Sequence, residues 1–499
     1  MENNNTQSDR GRYRNSFAAT ILFSGVQIYQ IIIRIVKSKF LALFIGPTGI
    51  GIQSLLRSTT DTISVATNFG LKTSSIKSIA AANRDGEKYE IAKTITVLRR
   101  LIWITGLLGL FICAVLAPVW SKTSFGDLSY IWSFVAVSLI ILIDQLNNGE
   151  LALLQGLQLK KQLARANILG QTLNAALTIP LYYLFGVKAI VMALILGSLI
   201  TLIITKFYTR KIKIEKINIS WHETFSVGRD MIKLGVFLSM QLFLTQLVAY
   251  LIRNYVSNVG GVDEVGLYSA GTMIIVSYIG LVFTAIGTDY YPRLAAVKSN
   301  EEMAITVRTQ ADLMTLLLTP LVIAFIVFSK PAIIILYSDQ FLPIEHMMYW
   351  SIGAVLFQAM GWAMSYTLLA KAKPSQFFLN ELIAACWGVP IKLLCYKVWG
   401  LTGFGMATFV CNVLYFIQIL VVTKKLFNLS YDIAVLKQFA ILHLPVVSVV
   451  LVKLLLSEIF GYIAGFVIFV ITIIVIIYRL NRRMDLKSYI NRKFIKKHA

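Results

Sequence analysis

Apolar segments of about twenty residues recur along the whole chain, and each is long enough to cross the hydrocarbon core of a bilayer. The polar stretches between them are too short to form a folded soluble domain. We therefore predict an all-α, polytopic membrane protein with about 14 transmembrane helices. The predicted spans are residues 15–44, 48–80, 96–119, 128–156, 162–184, 187–207, 231–256, 263–291, 305–329, 345–370, 375–398, 401–424, 437–456 and 459–480.

A weak internal repeat relates two parts of the chain. The segment Gly46 to Ser54 parallels Gly261 to Ser269, and Gly186 to Ala193 parallels Gly400 to Ala407, in each case about 215 residues later. Because six spans per half is an even number, both halves share one orientation, and a binding site is expected where they meet. The predicted organisation is two pseudo-symmetric six-helix lobes, 1–209 and 230–425, then two additional transmembrane helices in 437–480 and a basic cytoplasmic tail, 481–499.

The chain is strongly basic, with a formal net charge of +23, although only 14% of its residues are charged and 57% are hydrophobic. In a membrane protein, Lys and Arg collect in the cytoplasmic loops. With both termini in the cytoplasm, about 35 basic residues fall in cytoplasmic segments and about 8 in outer loops. This asymmetry predicts the orientation of the chain, and it argues against nucleic acid as a partner.

The sequence carries no pattern for catalysis, a metal ion or a cofactor. The four cysteines lie in apolar segments, and the four histidines are scattered without the spacing of metal ligands. No Gly-rich loop precedes a Lys-Ser or Lys-Thr pair, so the sequence does not encode a P-loop ATPase. We expect a protein that is not an enzyme and that hydrolyses no ATP.

Two predicted spans carry polar stripes at spacings of three or four residues, which place the stripe on one face of each helix. A charged side chain at the bilayer centre costs about 2.5–3.5 kcal/mol on insertion scales, so such stripes face a bundle interior or a water-filled cavity. Their excess of cations suggests an anionic cargo. The stripe of the first span is Thr20, Ser24, Gln27, Gln30, Arg34 and Lys37, and that of the second is Ser54, Arg57, Asp61, Ser64, Asn68, Lys72 and Ser75.

The depth of each charge leaves more than one interpretation open. Arg57 lies about 14 Å and Asp61 about 20 Å below the outer start of the second span, so Asp61 is the best candidate for binding a coupling proton or sodium ion. The same two residues are four apart, and mutual neutralisation is the alternative. Arg34 and Arg253 either face the cavity or extend to the outer headgroups. Five other carboxylates are expected near the cytoplasmic interface, paired with Arg165, Arg293 or Arg308: Asp144, Glu150, Asp289, Asp312 and Glu381.

Three segments carry a family resemblance. Gly46-Pro47-Thr48-Gly49-Ile50-Gly51, Leu154 to Lys161 and Gly261 to Ser269 resemble corresponding segments of Wzx-type flippases of lipid-linked oligosaccharides. These flippases belong to the multidrug/oligosaccharidyl-lipid/polysaccharide exporter superfamily. The resemblance spans about the first 425 residues.

The resemblance implies two lobes, a central cavity and alternating access. The implied cargo is an undecaprenyl-pyrophosphate-linked repeat unit of O-antigen or a related surface polysaccharide, moved from the inner to the outer leaflet of a bacterial inner membrane. Arg34, Arg57 and Arg253 are the nearest equivalents of the cavity arginines of related lipid flippases. The implied partners are this glycan, membrane lipids, a polysaccharide polymerase and a chain-length regulator.

The predicted site therefore combines the three arginines with Asp61, and Gln27, Gln30 and Asn68 are expected to line the glycan path. Two alternatives of the same superfamily remain: a flippase for the peptidoglycan lipid precursor and a multidrug exporter. An alternative of a different class is a membrane glycan polymerase or ligase, although no outer loop here is long enough for the catalytic loop that such enzymes carry.

Overall fold

The computed structural model describes residues 2–215, 217–371 and 373–484, and it describes side chains from residue 25 to 481 except those of 216, 288, 372 and 480. Within these ranges the chain is helical and contains no β-strand. The helices are α1 (Glu2–Asn68), α2 (Leu71–Asp85), α3 (Lys88–Val115), α4 (Ala117–Phe125), α5 (Ile131–Gly156), α6 (Lys160–Phe185), α7 (Ile190–Thr209), α8 (Trp221–Gly260), α9 (Val262–Ala296), α10 (Asn300–Val327), α11 (Ser329–Leu336), α12 (Glu345–Gly353), α13 (Val355–Ala370), α14 (Pro374–Phe427), α15 (Ile433–Leu455) and α16 (Glu458–Met484).

The prediction of an all-α, polytopic membrane protein is confirmed. Among the described residues, nine helical segments are long and apolar enough to cross a membrane, or ten if the bent pair Asp339–Gly353 and Val355–Ala370 is one span. Two of the nine, Lys160–Thr209 and Pro374–Phe427, have 50 and 54 residues. Each would be about 75–80 Å long if straight, which exceeds one crossing of about 30 Å. The exact number of spans stays a prediction.

The sequence repeat is matched by the backbone at both pairs of glycines. Gly46 has φ 59° and ψ −167°, and Gly261, its equivalent, has φ 88° and ψ 172°. Gly186 has φ 54° and ψ −135°, and its equivalent Gly400 has φ 57° and ψ −143°. This region of backbone space is accessible almost only to glycine. The four glycines therefore recur because the chain breaks its helices in the same way at equivalent places.

The chain divides into two compact units, Met1–Ala270 with Leu336–Gln340, and Gly271–Ile335 with Phe341–Ala499. This division follows packing, whereas the predicted lobe boundaries follow the repeat. The split between 209 and 230 therefore stays a prediction. Residues 485–499 of the predicted basic tail lie outside the described residues.

Helices of the first unit pack through small residues. A Cβ atom on Gly109 of α3 would lie 2.6 Å from Thr67 Oγ1, and one on Gly149 of α5 would lie 2.1 Å from Ile102 Cδ1. Because lipid offers no hydrophobic drive for helix association, close approach at small residues supplies the dispersion contacts instead. This packing brings α1, α3 and α5 together around the polar stripe of α1.

The second unit has its own apolar core, in which α10 packs against α13, α15 and α16. Leu316, Leu442 and Ile476 meet there and are buried. Tyr290 is also buried, and its hydroxyl donates to the carbonyl oxygen of Ala363 at 2.7 Å. The Tyr290 hydroxyl therefore finds its partner within the helix bundle.

Candidate functional site

Arg57 joins two helices of the first unit through two carboxylates. Its Nε lies 3.0 Å from Asp61 Oδ1, one turn further along α1, and its Nη2 lies 2.6 Å from Asp144 Oδ2, midway along α5. The three side chains are 38%, 35% and 20% exposed, so water or a ligand can reach them. Arg57 is held in a fixed orientation, and its remaining N–H groups are available to another acceptor.

Further cations surround this group. The Lys37 ammonium donates to Asn174 Oδ1 at 2.7 Å and interacts electrostatically with Arg57. On the other side, the Lys72 ammonium donates to Asn148 Oδ1 at 2.9 Å and interacts electrostatically with Asp144. Two carboxylates thus face three cations before Arg253 is counted, so the region is positively charged overall.

Arg253 of α8 completes the cluster from a third helix. Its Nη1 donates to the carbonyl oxygen of Ala249 at 3.2 Å, its guanidinium lies 5.9 Å from the centre of the Tyr268 ring, and it interacts electrostatically with Asp61. Its Nε is buried and has no hydrogen-bond partner among the described residues. Burying a donor without an acceptor is unfavourable in free energy, so this N–H group is suited to donate a hydrogen bond to an anionic oxygen.

Among the described residues, the other predicted residues form no hydrogen bond or ion pair with this cluster. Arg34 is exposed and forms no hydrogen bond or ion pair with the described part of the chain. Gln27 is exposed and Gln30 is half-buried. The Oδ1 atom of Asn68, at the end of α1, is buried without a described partner. The structure thus brings Arg57, Asp61 and Arg253 together and places Arg34 outside their immediate contacts.

The expected interfacial pairing of Asp144 is wrong, because Asp144 pairs with Arg57. Its position in the middle of an apolar 26-residue helix was the signal that could have revealed this. Expected pairing is confirmed for Asp289, whose carboxylate lies 2.9 Å from Arg293. The others find different partners: Glu150 pairs with Arg99, Asp312 accepts from Gln438, and Glu381 accepts from Tyr415.

Comparison with known proteins identifies a family and a relative. The sequence model of a family described as polysaccharide biosynthesis protein matches residues 40–346, more than half of the chain. We call Arg57, Asp61, Asp144, Lys37, Lys72 and Arg253 the Arg57 cluster. The matched range includes all of these residues except Lys37. A relative from Shigella flexneri, named "Putative O-antigen transporter", is 24% identical over 323 residues, which are 62% of this chain and 74% of the relative.

Solved structures share the fold at low sequence identity. Lipid II flippase MurJ in an inward closed conformation matches with a TM-score of 0.65 and 13% identity, over 93% of this chain and 99% of that one. An inward-facing multidrug resistance MATE family transporter of the MOP superfamily matches with a TM-score of 0.61 and 15% identity, over 84% and 99%. These likenesses show that the chain has the fold of this superfamily.

Proposed function

The chain belongs to the polysaccharide biosynthesis protein family, and from this membership we propose that it is a flippase for undecaprenyl-pyrophosphate-linked oligosaccharide repeat units. It moves the repeat unit of O-antigen or a related surface polysaccharide from the inner to the outer leaflet of the bacterial inner membrane. Transport proceeds by alternating access, without covalent chemistry. The name of the Shigella flexneri relative and the shared fold with a lipid flippase support this proposal.

The observation that carries the proposal is the Arg57 cluster with the unpaired donor of Arg253 beside it. A diphosphate is a compact anion with several acceptor oxygens, and guanidinium groups bind such oxygens through paired, charge-assisted hydrogen bonds. Arg253 offers its buried Nε, and Arg57 offers its guanidinium once the diphosphate replaces one of its two carboxylates. The polyprenyl tail meanwhile remains in lipid.

The two carboxylates keep Arg57 neutralised while the cargo is absent. An unpaired charge in a low-dielectric interior is strongly unfavourable, so a bound diphosphate takes the place of one carboxylate rather than adding to both. The displaced carboxylate then needs a new counter-charge. Asp61 is therefore the proposed coupling site, at which a proton or a sodium ion restores neutrality during transport.

Polar side chains beyond the cluster line the path of the glycan. Gln27, Gln30 and Asn68 are the proposed contacts, and Arg34 is a first cationic contact that the described residues leave unpaired. A polysaccharide polymerase and a chain-length regulator are the proposed protein partners, since they use the repeat unit after it reaches the outer leaflet.

A flipping assay on the purified full chain tests the proposal. The chain is reconstituted into vesicles with a fluorescent undecaprenyl-pyrophosphate-linked oligosaccharide, and a membrane-impermeant quencher reports the leaflet. We expect flipping without ATP, reduced at least about tenfold by Arg57→Ala, since a charge-assisted contact contributes about 1.5–3 kcal/mol. The matched control Lys425→Ala removes an exposed cation at the end of α14 and retains full activity. Normal flipping by Arg57→Ala would show that the diphosphate binds elsewhere.

Two further cargoes in the same assay separate the alternatives. Faster flipping of the peptidoglycan lipid precursor would identify a peptidoglycan precursor flippase. Transport of an organic cation without flipping of either lipid would identify a multidrug exporter. The excess of cations around Arg57 favours an anionic headgroup over an organic cation.

A further inference from the structure

A cationic cavity lies in the first unit, between the start of α6 and the segment that follows α7. Its volume is about 390 Å³. Lys161 and Arg165 line it from α6, and Lys211 lines it from just beyond the end of α7. Tyr208 and Gln162 add polar groups, and the apolar side chains of Leu159 and Ile212 complete the wall.

No carboxylate of the described part of the chain lines this cavity. Among the described residues, Lys161, Arg165 and Lys211 form no ion pair, and the Lys211 ammonium rests 4.4 Å from the centre of the Phe207 ring. Three cations with a hydroxyl and an amide form a suitable set of donors for a phosphate group. A second cavity of about 140 Å³, lined in part by Lys160, adds another cation nearby.

Two exposed apolar ridges begin at the cavity and run along neighbouring helices. Both ridges follow a spacing of four residues from a cavity cation, so each stays near one helix face. The helices α6 and α7 pack against one another, and both ridges lie on exposed faces of this pair. On α6 the ridge after Arg165 is Leu169, Leu173 and Leu177, and on α7 the ridge before Lys211 is Phe207, Ile203 and Leu199.

We propose that this cavity binds the phosphate headgroup of an anionic phospholipid, such as phosphatidylglycerol, whose two acyl chains lie along the two ridges. Basic pockets between helices at the cytoplasmic side of a membrane are suited to anionic headgroups. The ridges favour a lipid over free phosphate, because inorganic phosphate would leave them unused. The site is separate from the Arg57 cluster, and its occupation does not depend on which cargo the chain moves.

Lipid binding to the purified full chain tests the site. Native mass spectrometry measures the affinity of the delipidated protein for dioleoyl phosphatidylglycerol. The triple variant Lys161→Gln, Arg165→Gln and Lys211→Gln should bind about a hundredfold more weakly, because each cation contributes about fivefold. The control Lys77→Gln, Lys424→Gln and Lys425→Gln removes three exposed cations elsewhere and should bind normally. Equal affinity of both triple variants would overturn the proposal.

A second variant tests the ridges with every charge retained. Leu173→Gln with Ile203→Gln should weaken binding of dioleoyl phosphatidylglycerol at least about tenfold and leave the short-chain dihexanoyl lipid unaffected. Both lipids unaffected would refute the acyl-chain path. Dioleoyl phosphatidylcholine should bind weakly to the wild-type chain, and equal binding would refute selection by charge.

Competition then identifies the source of the phosphate. Millimolar inorganic phosphate should not displace phosphatidylglycerol, and displacement would indicate a site for free phosphate. Undecaprenyl pyrophosphate should also fail to displace it at equal concentration. Displacement there would assign the cavity to loading of the polyprenyl cargo and would overturn a resident phospholipid.

Discussion

Arg57 donates to carboxylates on two different helices, and this distinguishes it from a residue that is neutralised within its own helix. An i,i+4 pair with Asp61 would need α1 alone. The contact from Nη2 to Asp144 Oδ2 at 2.6 Å instead fixes α1 against α5. Lys37, Lys72 and Arg253 then surround the group with additional positive charge. The cluster is built to hold a guanidinium in place while leaving the surroundings attractive to an anion.

Asp144→Asn should impair transport through Arg57. The amide keeps the shape of the carboxylate but loses its charge, so Arg57 Nη2 loses one charge-assisted hydrogen bond. At a partly exposed site this contributes about 1 kcal/mol, and we expect a roughly fivefold slower flipping rate in the vesicle assay. The double variant with Arg57→Ala should be no slower than Arg57→Ala alone, because both changes remove the same interaction. Independent, additive losses would show that Asp144 acts without Arg57.

Arg57→Lys should fall between the wild type and Arg57→Ala. The ammonium keeps the charge, but it cannot reproduce the planar fork that reaches Asp61 and Asp144 at once. The same order is expected for Arg253→Lys and Arg253→Ala. Flipping rates at matched expression and matched thermal stability provide the measurement. A Lys variant as slow as the Ala variant at either position would show that fork geometry, and not charge, determines activity there.

The sequence predicts Arg57, Asp61 and Arg253 as members of this cluster, but not Asp144. Periodicity placed Arg57 and Asp61 on one face of a membrane helix, because both lie on the same element and spacing alone relates them. Spacing does not reveal the partner of Asp144, since that partner is 87 residues away and only the packing of α5 against α1 brings the two together. For the same reason, spacing could not reveal that Lys37 lies close enough to Arg57 to interact with it electrostatically.

At the scale of elements, the two repeated glycine segments contact one another reciprocally. A Cβ on Gly51 would lie 2.0 Å from the carbonyl oxygen of Val262, and one on Gly266 would lie 1.9 Å from that of Pro47. Gly51 and Gly266 are equivalent in the repeat, and so are Pro47 and Val262. The contact therefore has an approximate two-fold relation. This explains physically why the glycine spacing recurs. At each of the two positions the backbone of the other segment approaches so closely that only a residue without a Cβ fits.

Gly266→Val should lower the stability of the protein. Its side chain would overlap a backbone carbonyl that cannot move without shifting α1, and overpacking of this kind costs about 1–3 kcal/mol. We expect a lower midpoint of thermal unfolding in detergent. The matched control is Gly280→Ala in the same helix α9, where a Cβ meets nothing within 4 Å. An unchanged midpoint for Gly266→Val would mean that the two helix starts separate without cost.

Hydropathy predicts where the membrane helices lie better than it predicts where each helix ends. Apolar segments can be recognised from their composition, so the all-helical fold follows from the sequence. Hydropathy also predicts the break inside α14, because the expected spans 375–398 and 401–424 are separated at Trp399 and Gly400, where the backbone is not helical. It does not predict the break near residue 70: the structure ends α1 at Asn68 and starts α2 at Leu71, whereas one span through residue 80 is expected. Phe69 and Gly70, both with positive φ, separate the two helices.

At the scale of the whole molecule, the basic residues predict which side of the membrane each loop occupies. The segment between α7 and α8 carries Arg210, Lys211 and Lys213, whereas the segment between α4 and α5 carries none. Because cations are retained on the cytoplasmic side, the first segment should face the cytoplasm and the second the periplasm. The same rule predicts that the cationic cavity, which is lined in part by Lys211, faces the cytoplasm.

Cysteine labelling in intact cells measures this orientation. In a chain with its four cysteines replaced, Lys213→Cys and Leu128→Cys each introduce a thiol at an exposed position between helices. A membrane-impermeant maleimide added outside spheroplasts should label Leu128→Cys and leave Lys213→Cys unlabelled until the membrane is permeabilised. The difference follows because the cost of moving a cationic loop across the membrane fixes the insertion of the neighbouring helices. Labelling of Lys213→Cys from outside would show that the chain has the opposite orientation. The cationic cavity would then lie on the periplasmic surface.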